Sequence, residues 1–267
     1  MIDTYLLSTF LGLVIGAVLG LTGAGGAVLS VPFLGIFLHL EIAEAAPIGL
    51  VAVTISSWIG SVLALRAGIL RYKAALLMAL VGLAFSPVGM WMAHQLPNWP
   101  LVILFMAILL LVAKNMWEKS HPHAEESHQL PPCRLNHQVG KLHWSMPCAR
   151  AMVFSGALAG FFSGLLGVGG GFIIVPALRK FTDLPMNSII ATSMGVLSLV
   201  SLGGVMFSSF YGSMNWSIAV PFSLGSVVGL LVGRQFVKKL RESLIQRGFA
   251  ILAVLVALAM FVKLLGA

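Results

Sequence analysis

The sequence predicts an all-α polytopic membrane protein that contains two homologous repeats, inverted relative to each other. Three observations lead to this fold class. The chain of 267 residues is 59% hydrophobic and only 9% charged, whereas soluble domains have about 25% charged residues. The sequence repeats itself at an offset of 144 residues. Nearly all lysines and arginines can be assigned to one side of a membrane, as the positive-inside rule requires.

One helix needs roughly 20 apolar residues to cross a bilayer. Eight apolar windows that could form such helices follow one another along the chain. They cover residues 4–38, 45–65, 74–93, 99–113, 151–178, 188–214, 216–233 and 248–262. The first window would form a helix of about 52 Å, which is too long for one crossing and too short for two. We therefore predict that the first window of each repeat is a broken or re-entrant segment made of two half-length helices. Three transmembrane helices follow it in each repeat.

Glycines mark the predicted break in both repeats. The stretch GLTGAGGAVLSVP begins at Gly20, and GLLGVGGGFIIVP begins at Gly164. Six glycines superpose without a gap: Gly12, Gly16, Gly20, Gly23, Gly25 and Gly26 on Gly156, Gly160, Gly164, Gly167, Gly169 and Gly170. The first three of each set recur every four residues, which is typical of close helix packing. The last three do not follow a helical face, so we predict that they interrupt the helix.

The basic residues favour a first segment that returns to the side it came from. If all eight windows crossed, nine lysines and arginines would face seven, which gives no orientation signal. If the first window of each repeat re-enters, fifteen of the sixteen lie on one side and Lys263 lies on the other. We predict six crossings and two re-entrant or broken segments, with the linker cytoplasmic and both termini outside. A broken helix that still crosses is the alternative.

We divide the chain into a first transmembrane repeat at 1–117, a polar His-rich cytoplasmic linker at 118–149 and a second transmembrane repeat at 150–267. A solvated connector is favoured over a metal site for the linker, although Cys133 and Cys148 could pair, bind metal or do neither. The linker also holds His121, His123, His128, His137 and His143. The N-terminus lacks a basic region and a cleavage site, so we interpret it as uncleaved.

A substrate site is predicted at the glycine breaks. Irregular backbone at membrane depth is tolerated where it lines a cavity, and broken helices there direct their N-terminal N–H groups at anions. We predict that backbone dipoles and hydroxyls bind a small anion at Thr22, Gly23, Gly25, Gly26, Gly167, Gly169, Gly170, Gly171, Thr192 and Ser193. We predict no catalytic residues, metal or cofactor, because neither glycine motif completes a dinucleotide fingerprint or P-loop.

The paired motifs GLTGAGGAVLSVPFL and GLLGVGGGFIIVPAL, followed by AEAAPIGL and SIIATSMG, resemble the TauE/SafE sulfite-exporter-like (TSUP) permeases. The resemblance covers about residues 5–115 and 150–265 and leaves out the linker. It implies a bacterial transporter in the cytoplasmic (inner) membrane for sulfite, sulfoacetate, other sulfonates or organic anions. It also implies a substrate region at the glycines named above with Thr192 and Ser193. The first repeat departs from this pattern, because Ala46-Pro47-Ile48 stands where the second has Ala191-Thr192-Ser193.

The leading hypothesis is a secondary transporter that works by alternating access between the two repeats. The alternatives are a non-transporting scaffold or metal sensor that uses the His/Cys linker, and a passive channel. An enzyme is disfavoured, since no intramembrane acid/base pair or nucleophile dyad is visible. The expected partners are a small anion and the lipid bilayer; homo-oligomers are left open. Nucleic acid is disfavoured, because the basic residues lie in short loops beside apolar segments.

Overall fold

The computed structural model describes residues 2–23, 25–119, 133, 135–136, 141–142, 145–210, 215–237 and 242–265. The first half contains α1 (Ile2–Thr22), α2 (Gly25–Phe37), α3 (Ile42–Arg66), α4 (Tyr72–Gln95) and α5 (Asn98–Lys119). The second half contains α6 (Met146–Leu166), α7 (Gly171–Phe181), α8 (Met186–Phe210), α9 (Trp216–Val237) and α10 (Glu242–Leu265). Between them, β1 (Leu135–Asn136) pairs antiparallel with β2 (Lys141–Leu142). Among the described residues, eight helices are long and apolar enough to cross a membrane. The predicted all-α membrane fold is confirmed.

The first window of each repeat forms one long helix followed by one short helix. α1 and α6 have 21 residues each, whereas α2 has 13 and α7 has 11. The prediction of two half-length helices was therefore wrong. The reason is that α1 and α6 begin before the predicted windows, at Ile2 and Met146, and stay helical up to the turns at Gly23 and Gly167. Both residues have positive φ, 77° and 70°, a conformation that ends a helix and suits glycine.

The long helices α1 and α6 pack closely against helices of the opposite repeat. A Cβ at Gly12 or Gly16 would overlap the carbonyl oxygen of Phe222 or Ser226 on α9, and one at Gly160 would overlap that of Gly82 on α4. Residue numbers rise together on both partners, so α1 runs parallel to α9 and α6 runs parallel to α4. The predicted packing role of these glycines is confirmed. Adding 144 to the α1 residue numbers and subtracting 144 from those of α9 gives the α6–α4 contacts, in agreement with the predicted duplication.

The centre of the molecule is the crossing of α3 and α8. A Cβ at Gly60 would lie 2.6 Å from Met194 Sδ, and one at Gly204 would lie 2.9 Å from Leu50 Cδ1. Residue numbers rise on α3 as they fall on α8, so these two equivalent helices run antiparallel. The repeats therefore have opposite directions, which agrees with the predicted inversion. The equivalent helices α5 and α10 also contact each other.

Helix directions place the ends of the chain on one face and the linker on the other. α3 runs parallel to α9, because Ser56 Oγ lies 2.8 Å from Ser226 Oγ and Arg234 donates to the Gly60 carbonyl. α1 also runs parallel to α9, so α1 and α3 start at the same face and α2 returns the chain between them. We call the face with the start of α1 and the end of α10 the terminus face. The face with the end of α5 and the start of α6 is the linker face.

Candidate functional site

Both short helices begin at mid-depth in the helix bundle. A Cβ at Gly26, in the first turn of α2, would lie 2.8 Å from the Ile15 carbonyl oxygen of α1. A Cβ at Gly170, the residue before α7, would overlap the carbonyl oxygen of Ala159, which is equivalent to Ile15. The neighbouring Gly16 packs on Ser226, whose hydroxyl reaches Ser56 in the middle of α3. The two short helices therefore start near the level of the α3–α8 crossing.

From this level α2 and α7 run to opposite faces. Ser30 of α2 lies beside Gly49 near the start of α3, and Lys263 near the end of α10 donates to the Gly35 carbonyl. The carbonyl at the end of α7, that of Phe181, accepts from the linker residue Cys133. α2 and α7 contact each other, and because they diverge, they meet at their starts. Two helix N-termini, each the positive end of a helix dipole, thus converge at mid-depth.

Two equivalent serines lie near the middle of α3 and α8 with their hydroxyl groups unused. Ser57 on α3 and Ser201 on α8 are both fully buried, and neither Oγ has a hydrogen-bond partner among the described residues. A Cβ at Gly169 would lie 2.6 Å from Ser201 Oγ and 3.3 Å from Val53 Cγ1, so this hydroxyl is directed at the turn that precedes α7. A buried hydroxyl without a partner costs free energy and needs an explanation. We call the starts of α2 and α7, with Ser57 and Ser201, the central site.

The glycines at the start of α7 allow the backbone to reach this level. Gly169 and Gly170 have φ values of 73° and 70°, and neither has room for a larger side chain. They turn the chain away from α6 and leave the first N–H groups of α7 without helical acceptors. Gly171 is the first residue of α7, and Gly25 is the first residue of α2, the corresponding helix of the first repeat. These predicted binding residues lie at the starts of the two converging helices.

The structure separates Gly23 and Gly167 from the others. A Cβ at Gly23 would lie 2.5 Å from Ile190 Cγ2, near the start of α8 on the linker side. A Cβ at Gly167 would overlap Ala46, near the start of α3 on the terminus side. Since α3 and α8 run antiparallel, with Gly60 against Met194 and Leu50 against Gly204, Ala46 lies level with about residue 208 of α8. That is 18 residues from Ile190, so at 1.5 Å per residue the two turns lie about 27 Å apart along the helices. These two glycines therefore do not share one ligand.

The predicted hydroxyl residues lie mainly on the linker side. Thr22 Oγ1 donates to the Val18 carbonyl and accepts from the Gly26 N–H at 3.3 Å, so it caps the start of α2. Thr192 Oγ1 accepts from the Arg71 N–H at 3.2 Å. Ser193 Oγ donates to the Ile190 carbonyl at 2.8 Å and lies 3.5 Å from the Gly23 carbonyl oxygen. Thr192 and Ser193 thus lie beside the Gly23 turn. Whether any predicted residue binds substrate stays a prediction.

Sequence reasoning missed Ser201, which was not among the predicted residues. The signal was available, since Ser201 is Ser57 plus 144 and few polar residues recur at this offset. A serine inside an apolar helix is usually satisfied by a carbonyl of the preceding turn, as Ser193 and Ser198 are here. Only the structure distinguishes a serine bonded in this way from one with an unused hydroxyl.

The two linker cysteines form a disulfide. Cys133 and Cys148 are joined across 15 residues, and both are buried. Cys148 lies in the first turn of α6, whereas the Cys133 N–H donates to the Phe181 carbonyl at 3.0 Å. The bond therefore ties the linker to the linker-face ends of α6 and α7. His121, His123, His128, His137 and His143 lie outside the described residues.

Comparisons with known proteins place the chain among membrane transporters. The family model described as "Sulfite exporter TauE/SafE" matches residues 8–260. A probable membrane transporter protein of Xylella fastidiosa (strain Temecula1) is 27% identical over 256 residues, 92% of this chain and 91% of that protein. The probable membrane transporter protein YunE of Bacillus subtilis is 24% identical over 261 residues, 95% and 96% of the two chains. The "Sulfite exporter TauE/SafE family protein 6" of Arabidopsis thaliana is 28% identical over 148 residues, 54% of this chain and 31% of that protein.

Proposed function

The chain belongs to the TauE/SafE sulfite exporter family of membrane transporters, and we propose that it carries a small sulfur-containing or organic anion by alternating access. Sulfite, sulfoacetate and other sulfonates are the proposed substrates, and the bacterial cytoplasmic membrane is the proposed location. The observation that supports this most is the central site, where two helix N-termini converge at mid-depth. Near it, the middles of α3 and α8 each carry a buried hydroxyl without a partner among the described residues. The relatives are named as transporters and not as enzymes.

The chemistry of the central site favours an oxyanion. The first N–H groups of α7, and those of α2 other than the Gly26 N–H that Thr22 accepts, can donate hydrogen bonds to the anion. The positive ends of both helix dipoles attract negative charge. The hydroxyls of Ser57 and Ser201 donate as well. A sulfite or sulfonate group presents three acceptor oxygens and could therefore bind donors from both repeats at once. Because the named donors are uncharged, the anion is held without a fixed counter-ion and can leave again.

The inverted repeats support alternating access. The two halves meet at the antiparallel pair α3 and α8, with the central site beside the crossing. α2 runs from the site to the terminus face and α7 runs to the linker face, so each short helix flanks one half of the route. Rocking of one repeat against the other would open the two sides in turn, as in other inverted-repeat carriers.

Transport by purified protein in proteoliposomes tests the proposal. Sulfite, thiosulfate, sulfoacetate, taurine and carboxylate analogues are offered, and uptake is followed with and without internal unlabelled anion. Saturable uptake that accelerates in counterflow supports a carrier, and non-saturable uptake without counterflow would indicate a channel instead. Indifference to every anion would reject the proposed function. Deletion of 121–143 serves as a control, because transport that survives it shows that the linker is not the active part.

A further inference from the structure

Arg234 places a positive charge inside the helix bundle on the linker side of the central site. It lies in the last turn of α9, and its side chain is partly buried. Its Nη1 donates to the Gly60 carbonyl of α3 at 3.0 Å. Charged side chains at this depth are costly, and in membrane proteins they often mark the route of a substrate or ion.

The side chain of Arg234 reaches inward and not toward the linker face. Leu230 lies level with Gly60, since its Cδ2 is 3.7 Å from the position of a Gly60 Cβ. The backbone of Arg234 lies one turn further along α9, toward the linker face, and its guanidinium returns to the level of Gly60. An arginine that only anchored the helix end would extend to the lipid headgroups. Gly60 follows Ser57 by three residues, so the two share a face of α3. The guanidinium therefore lies on the linker-side approach to Ser57.

Arg234 forms no ion pair with the side chains that the structure describes. The acidic residues of α1 and α3, Asp3 and Glu44, lie in the first turns of those helices, at the terminus face. α8 and α9 contain no acidic residue. Apart from the bond to the Gly60 carbonyl, the guanidinium has no hydrogen bond to the described residues, so its other N–H groups can bind a transient anion.

The equivalent approach on the terminus side lacks these groups. At the offset of 144 residues, Arg234 corresponds to Met90, and Thr192 and Ser193 correspond to Ile48 and Gly49. The motif pairing of Ala191-Thr192-Ser193 with Ala46-Pro47-Ile48 is shifted by one residue from this offset and likewise has no hydroxyl in the first repeat. The repeats are otherwise matched at the helix breaks and at Ser57 and Ser201. At these three positions the linker side has a guanidinium and two hydroxyls, where the terminus side has Met90, Ile48 and Gly49.

We propose that Arg234 binds the transported oxyanion on its way between the linker face and the central site, and that it makes apparent affinity higher for anion presented at the linker face. This inference rests on the proposed function and names a binding residue for it. The guanidinium offers charge-assisted hydrogen bonds to an oxyanion. Its bond to the Gly60 carbonyl keeps it one turn from Ser57, so the anion can pass to the hydroxyls and helix N-termini of the central site.

The test compares three variants in inside-out and right-side-out membrane vesicles with radiolabelled sulfite as the probe. Arg234→Met installs the residue of the equivalent position, and Arg234→Lys keeps the charge. Lys263→Met is the matched control, because Lys263 also donates to a backbone carbonyl but lies at the terminus face. We expect Arg234→Met to raise the half-saturation concentration about tenfold for sulfite presented at the linker face, as the loss of one charge-assisted hydrogen bond predicts. We expect little change at the terminus face, and partial recovery with Arg234→Lys.

An equal rise on both sides, or no rise, would overturn the assignment of Arg234. If the wild-type protein transports none of the anions, the proposed function fails. Titration calorimetry of the purified proteins with sulfite then tests separately whether Arg234 binds an anion. Weaker binding by Arg234→Met than by Lys263→Met would still support an anion-binding residue. Equal binding by both variants, or no binding by the wild type, would reject it.

Discussion

At the scale of single residues, the serines of the central site give the sharpest test of binding. Ser57 and Ser201 are buried with unused hydroxyls. Replacement of either by alanine removes a buried polar group without a partner, so we expect the stability of the protein to be unchanged or to rise by about 1 kcal/mol. If the hydroxyl binds an anion, apparent affinity should fall about tenfold in the same variant. Thermal unfolding and sulfite uptake measure the two effects.

Ser86→Ala is the matched control for this prediction. Ser86 is also fully buried with an unused hydroxyl, but its backbone packs against Gly164 of α6. It should change stability in the same direction and leave affinity unaltered. Equal effects of all three substitutions on uptake would count against a specific role for Ser57 and Ser201.

Gly170 tests whether the backbone must approach α6 at the start of α7. Gly170 and Gly68 have nearly the same positive φ, 70° and 69°, but only Gly170 has a neighbouring backbone where a Cβ would lie. Gly68→Ala should therefore cost about 1 kcal/mol from backbone strain alone. Gly170→Ala adds overlap with the Ala159 carbonyl, which we expect to cost about 1–3 kcal/mol more and to abolish transport. Unfolding midpoints that are equal for the two variants would show that the close approach is not needed.

The sequence predicted the backbone groups of the candidate site better than its side chains. The glycine breaks were found because spacing of two and one is incompatible with a helical face, and the starts of α2 and α7 lie there. Thr192 and Ser193 were chosen by proximity in sequence, yet they lie beside the Gly23 turn. The position of Thr192 and Ser193 depends on how α8 packs against the other helices, and the residue pattern of one helix does not show this packing.

At the scale of elements, the parallel pair α1–α9 depends on glycine at the contact. A Cβ at Gly16 would overlap the Ser226 carbonyl, whereas one at Gly248 of α10 would meet nothing within 4 Å. We expect Gly16→Ala to destabilise the protein by about 1–3 kcal/mol through overpacking. Gly248→Ala should stabilise it by up to about 1 kcal/mol, because alanine favours a helix. Unfolding in detergent compares the two, and a neutral Gly16→Ala would contradict the packing.

The disulfide gives a second prediction for the elements at the linker face. A bond that closes a loop of 15 residues contributes about 3 kcal/mol in the chain-entropy account. Dithiothreitol should therefore lower the unfolding temperature of the wild-type protein and leave that of Cys133→Ser unchanged. A wild type insensitive to the reductant, with its thiols shown to be free by alkylation, would exclude a stabilising role.

The helices themselves were predictable, but their division was not. Long uncharged windows indicate spans because the bilayer core requires about 20 apolar residues, and eight such helices are found. The equal division of the first window was wrong, because α1 begins at Ile2, before the window, and stays helical to Thr22. The sequence predicted a packing role for Gly12, Gly16 and Gly20 but did not identify their partner. Their partner is α9, which lies about 200 residues away in the sequence, and close packing there keeps α1 helical through all three glycines.

At the scale of the whole molecule, each repeat is completed by the other. The first helix of one repeat packs on the third spanning helix of the other, α1 on α9 and α6 on α4. Neither half therefore has its full set of contacts alone. The offset of 144 residues predicts that two similar halves exist, but it does not show which helix of one contacts which helix of the other. Physical complementarity of glycine faces decides this pairing.

The inverted arrangement makes a prediction about topology that does not depend on any substrate. α1 and α3 start at the same face, because α2 returns the chain to it. The three helices α3, α4 and α5 then cross the membrane, so the chain ends α5 on the opposite face. Reporter fusions at residue 145 and at the C-terminus should therefore lie on opposite sides of the membrane, with residue 145 cytoplasmic if the basic residues set orientation. A cysteine placed at Leu40, between α2 and α3, should react with an impermeant maleimide from the side of the C-terminus. Fusions on the same side, or Leu40→Cys labelled from the linker side, would show that the first segment crosses and that the repeats are not inverted.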